Sequence, residues 1–152
     1  MKTTKDLPNG LIIRGYRESD KPYIASTFLN TCRNLAFFQN TPYRLYYPTM
    51  QRLFDKFLRH NRACVAVVVD EDEQAVIRAW LLAWILDDVS VIWYAHTMSR
   101  FRRKGICDHL VSTLPGASKA SVFTSKAGHR VNQKHNLVRY PTLAFEVLCE
   151  TY

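Results

Sequence analysis

Two apolar runs set back to back limit this chain more than any other feature. Ala63–Val69 and Ala75–Leu86 are apolar on both faces, and Asp70-Glu71-Asp72-Glu73 lies between them. A strand that is apolar on both faces needs cover on both. An acidic turn joining two such runs predicts an antiparallel hairpin at the middle of a sheet. Val89–Thr97, after the Asp87-Asp88 turn, reads as a third strand of the same meander. None of these runs approaches the ~20 apolar residues of a membrane span.

The flanking segments supply the cover. Leu11–Arg17 is a short β-branched run and reads as a first strand. Glu18-Ser19-Asp20-Lys21-Pro22 is a helix start, with a capping side chain and a proline for the first turn. Ile24, Phe28 and Cys32 then form one helical stripe. Phe37–Tyr47, dense in aromatics and holding Asn40 and Pro42, reads as a loop that Pro48 closes. Met50, Leu53, Phe54, Phe57 and Leu58 give a second helix ending near His60-Asn61. Gly105–Leu114 is a helix stopped by Pro115-Gly116, and Ala120–Thr124 is a short strand. Gly128–Asn136 is polar and basic, a loop or short helix. Leu143, Phe145, Val147 and Cys149 alternate with Ala144, Glu146, Leu148 and Glu150, which predicts a half-exposed last strand. The expected class is α+β: a mixed, mostly antiparallel central sheet with helices on both faces. At 152 residues, with no repeat or linker, the chain reads as one domain, 1–152, with its core at about 11–150.

Charge narrows the partner. The chain carries 21 Lys and Arg against 13 Asp and Glu, a net +8. Residues 100–139 hold Arg100, Arg102, Arg103, Lys104, Lys119, Lys126, Arg130, Lys134 and Arg139 against the single acid Asp108. That stretch alone accounts for the whole excess. It points to a polyanion, either nucleic acid or a phosphorylated small molecule. No recognisable nucleic-acid motif accompanies it. Cys32, Cys64, Cys107 and Cys149 are scattered, with no C-x-x-C pair. They read as reduced thiols of a cytoplasmic protein, neither a disulfide frame nor a metal site. Met1–Asp6 has no apolar run, so no secretory signal is expected there.

The third meander strand runs into Met98-Ser99-Arg100-Phe101-Arg102-Arg103-Lys104-Gly105 and then the helix. A strand, a basic turn with one glycine and a helix start make an anion site. The first amides of a helix lack intrahelical partners, and its dipole is positive there. A glycine lets phosphate approach the backbone. One glycine is too few for a phosphate loop of the G-x-x-x-x-G-K type or for G-x-G-x-x-G.

Arg102-Arg103-Lys104-Gly105-Ile106-Cys107 resembles the Q/R-x-x-G-x-G/A motif of the GCN5-related N-acetyltransferase (GNAT) superfamily. The order of elements over residues 11–150 resembles that family too. Three features differ from its usual pattern. Cys107 replaces Gly or Ala, no proline precedes Arg102, and no N-x-x-A-x-x-x-Y helix follows. The last quarter, with Leu137–Pro141, is closer to divergent members carried by bacteriophages.

The resemblance implies an acyl-CoA fold that moves an acetyl group from acetyl-coenzyme A to an amine of a small molecule or protein, without metal. It implies that the backbone of Ala95, His96 and Thr97 holds the pantetheine arm. Arg102, Arg103, Lys104, Gly105, Ile106 and Cys107 would hold the pyrophosphate. It makes Tyr140 the candidate acid for the departing thiolate. His96 is a candidate base, with Asp87 and Asp88 as others, since the amine must give up a proton. Phe37, Phe38, Tyr43, Tyr46 and Tyr47 mark an acceptor pocket or a partner surface. The alternative is a catalytically silent module of the same fold that binds protein or nucleic acid.

Overall fold

A computed structural model describes residues 6–116, 118–123, 126–140 and 142–149. Thr124, Pro141 and Glu150 lie outside them, as do the side chains of Phe37, Lys126, Phe145, Leu148 and Cys149.

The meander forms as its patterning requires. Strand β1 (Leu11–Gly15), β2 (Ala63–Asp70), β3 (Ile77–Leu86) and β4 (Val89–Thr97) pair antiparallel in that order. Strands β5 (Ser118–Ser121) and β6 (Val138–Arg139) extend the sheet in parallel, giving six strands in sequential order among the described residues. Helices α1 (Lys21–Arg33), α2 (Tyr43–Arg59) and α5 (Leu143–Cys149) cover one face. Helices α3 (Ile106–Thr113) and α4 (Lys126–Lys134) cover the other. Both faces of the central strands are therefore buried. Val67, Val69, Trp80 and Leu82 pack under α1 and α2, and Val68, Ala79, Leu81 and Ala83 under α3.

Three parts differ from the sequence reading. The aromatic segment is not one long loop. Ala36–Phe38 is a turn of 3-10 helix, and α2 starts at Tyr43, so Tyr43, Tyr46 and Tyr47 are helical. Pro48 sits inside α2, where it forfeits a single backbone bond near the start. The polar stretch after β5 is a helix, one of the two forms expected, but the parallel strand Val138–Arg139 that follows it at the sheet edge was not expected. The last segment is a helix, not a strand. Among its described side chains Leu143, Ala144 and Val147 are buried, a spacing of i, i+1 and i+4 that fits one helical face against α2. Lys56 of α2 donates to the Val147 carbonyl at 3.3 Å.

A buried ion pair fixes the entry to α1. Arg14 of β1 grips Asp20 with two hydrogen bonds of 2.7 and 2.8 Å, and the Arg17 amide donates to the same carboxylate at 2.8 Å. This Arg14 bond, more than the other contributions, holds the Asp20 carboxyl below the usual carboxylate range. No described helix is long and apolar enough to cross a membrane.

Candidate active site

The β3–β4 ladder is irregular at one point. Leu82 pairs with Tyr94 and Ala83 with Ile92, so Trp93 is an extra residue in β4. Such a bulge bends a strand and shifts the facing of the residues beyond it. Trp93 and Tyr94 both pack into the core under α1 and α2, and Ala95 turns toward α3. His96 comes back beneath α1, its ring 5.9 Å from that of Trp80.

The same point is where β4 and β5 part. The Val122 amide donates to the Ile92 carbonyl at 2.9 Å and the Phe123 amide to that of Trp93 at 3.2 Å. Among the described residues the parallel ladder ends there, while β4 continues to Thr97 on β3 alone. Among the described residues no strand pairs with the outer backbone edge of Ala95–Thr97.

The basic turn follows directly on that edge. Ser99–Phe101 is a turn of 3-10 helix, and the Met98 amide ties its start to the Arg78 carbonyl at 2.9 Å. Arg102 donates from Nε to the Thr97 carbonyl at 3.1 Å, which folds the turn back on the strand end. Arg103 takes φ +63, and Gly105, the N-cap of α3, takes φ +78. No side chain caps α3. Its first amides have no intrahelical partner, and the exposed Arg102, Arg103 and Lys104 lie just before them in the chain. Positive dipole, uncapped amides and three bases meet at one place, which suits a pyrophosphate.

Cys107, the departure from the usual motif, does not stand in the way. It packs against the core between α3 and the sheet, next to the buried Ile106. Burial, with a further contribution from Asp108, pushes its thiol up to about 11, so it remains protonated and unreactive. Cys32, Cys64 and Cys107 are free thiols.

His96 has the properties of a base. Burial first, and the charge of Arg102 second, lower its pKa, so the imidazole is neutral at neutral pH. Tyr140 is placed otherwise. Its amide donates to the Ser121 carbonyl at 2.8 Å, and its hydroxyl shares both oxygens of Glu146 at 2.9 and 2.8 Å. That bond raises the phenol pKa. The register sets Tyr140 two strands from His96 and about three residues back, on the order of 14 Å between backbones. Asp87 and Asp88 sit in the β3–β4 turn at the opposite end of β4.

Three features had no clear signal in the sequence: the Trp93 bulge, the Arg78 contact with the basic turn, and the role of Asp108. The last had one hint, as the lone acid of a basic stretch. Asp108 bridges α3 to Lys134 at 2.8 Å and His135 at 3.1 Å beside α4, so Lys134 is not available to an anion.

Solved structures share this fold. A predicted acetyltransferase from Clostridium acetobutylicum, solved with acetyl-CoA, superposes with a TM-score of 0.59 at 16% identity, over 84% of this chain and 89% of that one. The chain has the GNAT acetyltransferase fold. An aminoglycoside N-acetyltransferase in complex with CoA matches with a TM-score of 0.52 at 13% identity, covering 86% and 91% of the two chains. An aminoglycoside antibiotic 6′-N-acetyltransferase from Acinetobacter baumannii gives 0.52 at 16%, covering 84% and 90%. No family model and no curated protein sequence matches the chain.

Proposed function

We propose that the protein is an N-acetyltransferase that moves an acetyl group from acetyl-coenzyme A to an amine. One observation carries the reading: β4 runs on past the end of its described pairing with β5, at the Trp93 bulge, into the uncapped, basic start of α3. A long thiol arm ending in phosphates fits that continuous path. Backbone groups of Ala95, His96 and Thr97 bond the arm. The amides at Gly105, Ile106 and Cys107, with the side chains of Arg102, Arg103 and Lys104, take the pyrophosphate. Coenzyme A is polyanionic, which matches the charge of the 100–139 segment.

The chemistry then needs two proton transfers. Neutral His96 accepts the proton of the incoming amine, directly or through water, as nitrogen bonds to the thioester carbon. The carbon–sulfur bond breaks, and the thiolate takes a proton from an acid. Tyr140 is the proposed acid, and it must leave Glu146 to serve. The acceptor is an amine on a small molecule or a protein, entering from the side of α1 and α2 past the aromatic residues Phe38, Tyr43, Tyr46 and Tyr47. The aminoglycoside enzymes among the structural neighbours make a polyamine the first acceptor to try. The free thiols fit a reducing compartment such as the cytoplasm.

Calorimetric titration with acetyl-coenzyme A tests the binding, and thiol release over an amine and peptide panel tests the transfer. Micromolar affinity that weakens with salt is the expected result, because phosphate contacts are screened. No heat and no thermal shift at millimolar ligand would sink the coenzyme reading. Binding without any thiol release, hydrolysis included, would favour the silent module.

A further inference from the structure

The turn from Ser99 to Lys104 keeps Arg100, Arg102, Arg103 and Lys104 together, although like charges repel. A small network anchors it. Asp70, at the end of β2, accepts two hydrogen bonds from Arg78, at 2.9 Å from Nε and 2.7 Å from the terminal nitrogen. The guanidinium so held lies on the ring of Phe101, with Cζ 4.9 Å from the centroid. The ammonium of Lys104 lies 5.2 Å from the same ring. Phe101 is half-buried against the core under α3, and its amide donates to the Met98 carbonyl at 2.8 Å.

The two cations on this ring differ in one respect. Arg78 is neutralised by Asp70. Among the described residues no carboxylate pairs with Lys104. An aromatic face attracts a cation without cancelling its charge as a carboxylate would. The ring therefore holds Lys104 in place beside the start of α3 and leaves its charge available to an anion.

We propose that Phe101 is a positioning residue for the phosphates of the coenzyme, acting through Lys104, with the Asp70–Arg78 pair fixing the ring. This rests on the proposed binding of coenzyme A and adds a residue that touches no phosphate itself. Simple packing would require only an apolar side chain at position 101. The proposal requires an aromatic one.

Titration of the full chain with coenzyme A separates the two. Phe101→Leu keeps the apolar bulk and loses the ring, and should weaken binding about 3- to 10-fold. Phe101→Tyr should bind within about 2-fold of the unmodified protein, since the ring is retained. Lys104→Met should weaken binding, and Phe101→Leu should then cost nothing more in that background. Equal affinity for Phe101→Leu and the unmodified protein, or losses that multiply in the double variant, would overturn the proposal. If the unmodified protein fails to bind, the coenzyme reading falls and takes the proposal with it. If it binds and Phe101→Leu binds equally, only the proposal falls. Circular dichroism checks each variant. Should Phe101→Leu not fold, Phe101→Trp replaces it. Its larger ring should change the affinity only while Lys104 is present, and the same change in both backgrounds would overturn the proposal.

Discussion

Gly105 and Gly10 make a matched pair for testing the anion site. Both hold left-handed backbone, at φ +78 and φ +82. Alanine in that conformation costs about 1–2 kcal/mol. For a chain of this size each kcal/mol lowers Tm by about 2–4 °C, so both alanine variants should melt roughly 2–8 °C lower. At Gly10 nothing lies within 4 Å of an added Cβ, so strain is the whole effect. At Gly105 the methyl also stands at the uncapped start of α3, where the phosphate must approach. Displacing one charge-assisted hydrogen bond costs about 1.5–3 kcal/mol, or at least roughly 10-fold in Kd. Thermal melts and coenzyme A calorimetry on both variants give the two numbers separately. Gly105→Ala should lose stability and affinity, and Gly10→Ala stability alone. If Gly105→Ala melts lower yet binds coenzyme A as Gly10→Ala does, the start of α3 is not the phosphate site. Valine would confuse the comparison, because a β-branched residue at positive φ is strained far more.

With saturating coenzyme, the midpoint of the acid limb should lie below the ordinary imidazole value of 6.5, since burial lowers the His96 pKa and the neutral ring is the proposed base. Arg102→Gln removes part of that lowering and should move the acid limb upward, whereas His96→Gln should abolish the limb along with most of the rate. Tyr140→Phe should lower turnover on the order of 10²-fold with coenzyme affinity unchanged. Glu146→Gln, which frees the hydroxyl, should not lower it, and a Tyr140→Phe variant with normal turnover would leave that hydroxyl only a tie between β6 and α5. Asp20→Asn breaks a buried pair and should cost about 3–5 kcal/mol in urea unfolding. Because Asp20 is held below its ordinary value of 3.8, its contribution is complete above that pH and disappears as pH falls through the depressed value. The stability difference between the variant and the unmodified protein should therefore narrow progressively as pH falls below 3.8.

The hairpin, the meander and the strand–turn–helix around Gly105 were legible in the chain because each rests on local pattern. Ala63–Val69 and Ile77–Leu86 are apolar on both faces whatever surrounds them, and Ile106, Leu110, Val111 and Leu114 keep helical register directly after Gly105. The last segment shows where pattern stops. Strand alternation would bury Leu143 and Val147, and so does the helix found there. Among the side chains described there, the burial of Ala144 separates the two readings, and that depends on α2 lying alongside. Tyr43–Tyr47 likewise reads as loop because Pro42 and Pro48 flank it, yet Tyr46 is buried with its hydroxyl on the Leu29 carbonyl at 2.6 Å. Packing against α1 outweighs the one backbone bond that Pro48 forfeits. The site itself belongs to the tertiary structure. The Trp93 bulge exists only as a mismatch of register between β3 and β4, and no periodicity within β4 encodes it. That bulge turns His96 under α1 and marks where β4 leaves β5. The sequence by itself determined that a cluster of bases adjoins a helix start, because both lie within ten consecutive residues. Which groups face it, which bases are taken up by Asp70 and Asp108, and that Cys107 looks away were decided only when strands and helices distant in the chain were packed together.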